Sequence, residues 1–214
     1  LPNTRALSLA GGTACAVDAS GAVRCTGSNV DGVRGDSEAT FTLAPTTVNP
    51  GFRVASVHGG GYTMCALGVG GELACWGRGN QGQRGDGQSA STPTASRVTG
   101  PPQWASVSVG ELHACGALPN GQVYCLGRGN EGQLGNGASA SYVTPVAVQT
   151  LRDATQVSVG YKHSCARTRD GRAVCWGVGS HGQLGDGTRQ NRPAPVAVSG
   201  LTDDQVGWLD RALA

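Results

Sequence analysis

Eight cysteines are the residues best placed to do chemistry in this chain, and their spacing says which chemistry. They form four pairs, Cys15 and Cys25, Cys65 and Cys75, Cys115 and Cys125, Cys165 and Cys175, with ten residues between the numbers in every pair. The stretch between Cys15 and Cys25 reads as a hairpin with its turn near Ser20 and Gly21, where a positive φ favours glycine. Paired cysteines then face each other across two antiparallel strands, close enough to bridge. Closing a loop of about 11 residues is worth roughly 2.5–3 kcal/mol in the chain-entropy account. Zinc is the competing chemistry, since His113 and His163 stand two residues before Cys115 and Cys165. Thr13 and Thr63 hold that place in the first two repeats, and zinc knuckles use closer cysteine spacings. The pattern therefore favours four disulfides and no metal. Disulfides persist outside the reducing cytosol, so a secreted or periplasmic protein is expected.

Other reactive side chains are scattered. His58, Glu111 and His181 are the candidate acid–base groups of a catalytic site, with Tyr62, Tyr161 and Lys162 as possible helpers. Nothing in the sequence forms a nucleophile triad, a phosphate loop or a paired-carboxylate site. The glycine-rich loops lack the Lys-Ser/Thr ending of a phosphate cradle. No cofactor is implied. A small hydrolase or peptide-processing enzyme working at a channel mouth is one reading of these groups.

The elements that must position them recur every fifty residues. Such a period marks a repeat architecture whose units bury their apolar faces only against neighbours. The units are 6–53, 54–103, 104–153 and 154–201, after a lead-in at 1–5, and together they are expected to form one domain over 6–201. Each begins with an alternating strand such as Val157, Val159, continues into the cysteine hairpin, and passes a glycine-rich loop such as Gly185-Asp-Gly187. It closes on a proline-containing strand with Val48, Val98, Val148 or Val198 in phase. Proline suits an edge strand. About four short strands per repeat is the content of a β-propeller blade, so the fold class is all-β, a propeller of four blades. The tail, 202–214, opens on a capping box at Thr202-Asp-Asp-Gln205 and is expected to form a short helix. With 36 Gly, 14% charged residues and a net charge of +2, the clustered basic footprint of a nucleic-acid binder is missing. No apolar run approaches the ~20 residues of a membrane helix.

The run His163-Ser-Cys-Ala, then Asp170-Gly-Arg-Ala-Val-Cys-Trp-Gly177, then Gly182-Gln-Leu-Gly-Asp-Gly-Thr188 resembles the repeat of the regulator of chromosome condensation family. The likeness covers 6–201 and is weakest in the first repeat, where Thr26 replaces Trp and Val33-Arg34 replaces Gln-Leu. It implies a β-propeller, commonly of seven blades, and points to a bacterial secreted type. Four repeats are expected to close as a compact domain, with the tail sealing the join. An arc closed by a second copy and a piece of a longer chain are the alternatives, so the chain is a monomer or a closing homodimer.

Family members named by the resemblance, a nucleotide-exchange factor and a secreted inhibitor of β-lactamases, act through protein contact. The residues that break the repeat then become the candidate binding surface: Tyr62, Arg78, Glu111, Arg128, Tyr161, Lys162 and His181. Loops on rigid scaffolds often carry function, and Tyr and Arg are favoured anchors. A protein or peptide is the expected partner, with no nucleic acid and no membrane insertion. A spacer domain of a larger surface protein is the structural alternative.

Overall fold

The structure is a computed structural model in which residues 3–38 and 41–200 are described. The expected tail helix at 202–214 lies outside them. Sixteen strands form four antiparallel sheets of four, taken in chain order. Blade 1 holds β1 (Ala6–Ala10), β2 (Thr13–Val17), β3 (Val23–Gly27) and β4 (Thr42–Val48). Blade 2 holds β5 (Val54–Gly60), β6 (Thr63–Gly68), β7 (Leu73–Gly77) and β8 (Thr92–Arg97). Blade 3 holds β9 (Ser106–Val109), β10 (His113–Ala117), β11 (Val123–Gly127) and β12 (Tyr142–Ala147). Blade 4 holds β13 (Ala154–Val159), β14 (His163–Thr168), β15 (Ala173–Gly177) and β16 (Arg192–Ala197). First strands of successive blades pack on one another, which makes them the inner row and leaves the proline-bearing last strands at the outer edge.

The hairpin that organises each blade forms for local reasons. In blade 1 the Gly21 amide donates to the Asp18 carbonyl, and the Asp18 carboxylate accepts from the amides of Ser20 and Ala22. Gly21 takes φ 85°, which a side chain would strain. The register then places Cys15 opposite Cys25, with the same pairing in the other three blades. All four bridges form, each with Cα atoms 4.1 Å apart, and no described cysteine is free.

Blades join by a repeated device. The glycine of the second loop accepts the outer strand of the next blade: a Cβ on Gly32 would lie 2.6 Å from Pro93, one on Gly82 2.7 Å from Val143, and one on Gly132 2.7 Å from Pro193. The hairpin-turn carbonyls of Gly21, Gly71 and Gly121 accept the amides of Val54, Trp104 and Ala154. Trp76 and Trp176 are fully buried, and their indole N–H groups donate backward to the carbonyls of Val33 and Gln133, 2.9 Å in both cases. Serine hydroxyls add a further link, Ser8 accepting from the Gly59 amide and Ser108 from the Val159 amide. The three joints thus have three apolar cores: Val17, Val23, Val54 and Val57 in the first, Leu67, Leu73, Trp104 and Val107 in the second, Ala117, Val123, Leu151 and Val157 in the third.

Burial marks where the series stops. Strands β6 and β10 are buried along their whole length on both faces. In β2 only Thr13, Cys15 and Val17 are buried, the face toward blade 2. In β14 the opposite parity is buried, Ser164, Ala166 and Thr168, the face toward blade 3. Among the described residues no strand of blade 4 packs on blade 1 as successive blades pack on each other. The expected compact closure is therefore not made by these residues. The described residues form an arc whose first and last blades do not meet each other.

Candidate binding face

The two sets of loops that break the repeat come together on one side of the arc. The first loop of each blade, between its first two strands, leans over the first loop of the preceding blade. A Cβ on Gly11 would lie 2.6 Å from the ring of Tyr62, and one on Gly61 would lie 2.8–2.9 Å from Glu111. The second loops follow β3, β7, β11 and β15 and are held from beneath. The side-chain oxygens of Gln83, Gln133 and Gln183 accept the amides of Gln81, Glu131 and His181.

Seven expected partner-binding residues fall into two clusters and two single positions. Arg78 lies over the ring of Tyr62, 4.3 Å from its centroid, and reaches Asp31 of blade 1 at 2.6 Å. Glu131 sits between Arg128 at 2.7 Å and Lys162 of blade 4 at 3.4 Å. Lys162 in turn lies 5.5 Å from the ring centre of Tyr161. Burial pushes the Glu131 carboxyl up, but the hydrogen bond from Gln133 and the charges of Arg128 and Lys162 outweigh it and hold the group below the usual carboxylate range. Each pair is partly exposed, so its worth lies in fixing side-chain direction more than in stability, about 0–1 kcal/mol. Tyr161 is 57% exposed. Glu111 is half-buried on the neighbouring loop, and His181 is exposed, its Nδ1 3.0 Å from the Ser180 hydroxyl.

The acid–base candidates do not converge. His58 lies on β5 with Nε2 2.8 Å from the hydroxyl of Ser56, its pKa pushed down by burial. Among the described residues no hydrogen bond or ion pair joins His58, Glu111 and His181 to one another, and no group of three acidic, His or Cys side chains could hold a metal ion. His113 meets a side chain of the next blade. Its Nε2 lies 2.8 Å from the Ser164 hydroxyl of the next blade, and Ser164 donates to the Gln133 carbonyl at 3.1 Å. That carbonyl is the one Trp176 uses, so the two links share one acceptor. Burial, with the neighbouring His163, pushes the His113 pKa down to about 3. Asp31 and Glu131 are the binding-face residues that sequence reasoning left out of the site. Their signal was an acid one loop away from an orphan cation, legible only once the blades are known to be adjacent.

Four antiparallel blades in an inner-to-outer series, each stapled by a hairpin disulfide, define a β-propeller-type repeat protein whose variable loops share one face. The repeat signature of the regulator of chromosome condensation matches residues 120–167 and 170–209, and a second form of it matches 104–133 and 154–183. Residues 104–209 thus carry repeats of that family. No curated protein matches it in sequence. Human WBSCR16 superposes on 92% of this chain with TM-score 0.82 at 20% identity. Prp20p of Saccharomyces cerevisiae, studied for its binding to Gsp1p and histones, superposes on 97% with TM-score 0.80 at 19% identity. The same yeast protein bound to Kap60 gives 0.81 at 19% identity over 97%. The chain spans 53–58% of the length of these structures. The likeness establishes the fold.

Proposed function

We propose that this chain is an extracytoplasmic module that binds a protein or peptide through the loop face. The observation that carries the reading is the state of the variable side chains. Tyr62, Arg78, Arg128, Tyr161 and Lys162 lie on one face, each with a ring or ion-pair contact, above hairpins closed by disulfides. Ordering side chains before a partner arrives lowers the entropy lost on binding. The scattered positions of His58, Glu111 and His181 weigh against a catalytic centre built from them. Prp20p, a structural neighbour, binds proteins, and that supports a protein partner here by analogy of fold alone. Four disulfides support a compartment that permits them, and 6–201 is taken as the domain.

The test is capture of partners from the native organism's extracellular or periplasmic fraction on immobilised protein, with Tyr161→Ala/Lys162→Ala as the control surface. A partner retained by the native chain and lost from the variant supports the reading. Equal retention by both removes the loop face from it.

A further inference from the structure

Among the described residues, β4, β8, β12 and β16 are the outer, unpaired edges of their sheets. Such an edge offers free amides and carbonyls to any other strand unless something blunts it. The register shows which residues face outward. Val98, Val148 and Val198 donate their amides to the carbonyls of Leu73, Val123 and Ala173. Two residues earlier, Ser96, Val146 and Val196 stand opposite Cys75, Cys125 and Cys175. Inward-facing backbone groups alternate with outward-facing ones, so the residues between turn theirs away from the sheet. Pro145 and Pro195 hold that place in blades 3 and 4, and Pro45 holds it in blade 1. Proline has no N–H, so each of those edges lacks a donor there. Blade 2 breaks the pattern with Ala95. Its one strand proline, Pro93, stands at the start of β8 against Gly32 of blade 1. The backbone groups of Ala95 and Arg97 therefore face outward unblocked. The Ala95 side chain packs on the apolar core between blades 1 and 2, which holds the strand in place. Arg97 is exposed, its guanidinium 5.1 Å from the centre of the Phe52 ring. Among the described residues no carboxylate pairs with it.

We infer that β8 is a docking edge for an extended foreign peptide that carries an acidic side chain. The peptide adds to blade 2 as a further strand, its backbone bonding Ala95 and Arg97, with its acid opposite Arg97 beside Phe52. In strand addition the backbone bonds give affinity and the side chains give selectivity. The occupant follows from charge. Opposite charges facing each other across two strands attract, and like charges repel. A second copy of β8, Thr92-Pro-Thr-Ala-Ser-Arg97, has no acid to offer, and neither do β4, β12 and β16. This edge lies on the outer rim, apart from the loop face, so it stands or falls independently of the function proposed above.

The free stretch is short, so exchange is fast and amide shifts by NMR are the suitable readout. The probes are the hexapeptide Thr-Val-Glu-Val-Thr-Val and its counterpart with Lys in place of Glu, each titrated into the intact, oxidised chain. The Glu peptide should shift the amides of Ala95 and Arg97 and bind about three- to tenfold more tightly than the Lys peptide. Ala95→Pro gives this edge the residue that blunts the others, and should weaken binding by about fivefold or more. Arg97→Glu changes a side chain already in solvent, so the fold should persist while the preference between the two peptides reverses. That variant decides the matter should Ala95→Pro not fold. An absence of shifts at β8 in the native chain, binding unchanged in folded Ala95→Pro, or an unreversed preference in Arg97→Glu would each overturn the proposal. So would loss of peptide binding in Tyr161→Ala/Lys162→Ala, which would place the peptide on the loop face. Shifts of the Ala95 and Arg97 amides with protein concentration alone would name a second copy as the occupant, and would overturn it too.

Discussion

His113, Ser164, Trp176 and the Gln133 carbonyl make the most demanding polar node in the molecule. The Ser164 hydroxyl donates to the carbonyl and so accepts from His113 Nε2, which fixes a neutral imidazole with its proton on that nitrogen. The folded-state pKa is pushed down to about 3 while the unfolded chain keeps an ordinary histidine. Between those two values the unfolded state binds the extra proton, so stability falls as pH falls, by about 1.4 kcal/mol per pH unit for one such group. Denaturant melts at pH 7 and pH 5 should show a steeper loss in the native chain than in His113→Gln. Equal slopes would mean that the imidazole is not held neutral. Trp176→Ala removes a fully buried ring from the same node and should cost about 3–5 kcal/mol in the same assay. The two tyrosines proposed for binding separate here. Tyr161→Ala should weaken partner capture by about 2 kcal/mol or more and leave the melting temperature alone. Tyr62→Ala should lower both, because that ring also packs on Gly11 and under Arg78.

At the scale of the element, each hairpin and its bridge are a self-contained unit. Replacing Cys165 and Cys175 together by serine should lower stability by roughly 2.5–3 kcal/mol. Melts of the reduced and oxidised native chain give the corresponding reference. This level was legible in the sequence. Cys–Gly–Cys spacing, alternation and the turn glycines are local properties, and they led to strands, register and pairing. The joints were less legible. The period says that blades are equivalent but not which atoms meet between them. Hence the Arg78–Asp31 pair, 47 residues apart in sequence, and the His113–Ser164 contact, 51 apart, could not be read from repeats taken one at a time. Closure was less legible for a related reason. Equivalence of the four units hides the fact that, among the described residues, the first leading face and the last trailing face meet no further blade.

Taken as a whole, the arc is two pairs of blades. The joint between blades 1 and 2 has Trp76, Ser8 and the Arg78–Asp31 pair. The joint between blades 3 and 4 has Trp176, Ser108, His113 and the Lys162–Glu131 pair. Among the described residues the middle joint has no such side-chain link. Leu126 replaces the tryptophan, and His58 replaces the serine that would accept the amide of Val109. Apolar packing, with Trp104 clustered with Leu67 and Leu73 of blade 2, and backbone bonds hold it. His58→Ser restores the missing acceptor and removes a half-buried imidazole. It should stabilise the protein by about 1 kcal/mol. A loss of stability in the melt would show that His58 is itself a link across this joint.

The backward reach of the tryptophans also orders events in time. Trp76 and Trp176 each bond a carbonyl 43 residues earlier in the chain. A chain delivered N-terminus first, from a ribosome or through a membrane channel, therefore exposes every acceptor before the indole that needs it. At roughly 5–20 residues per second of synthesis the wait is about 2–9 s per joint, and the His113 ring of blade 3 likewise waits for Ser164 of blade 4. The arc can be built as it is made, one blade docking on the last, with the hydrophobic leading face of each new blade covered as soon as it emerges.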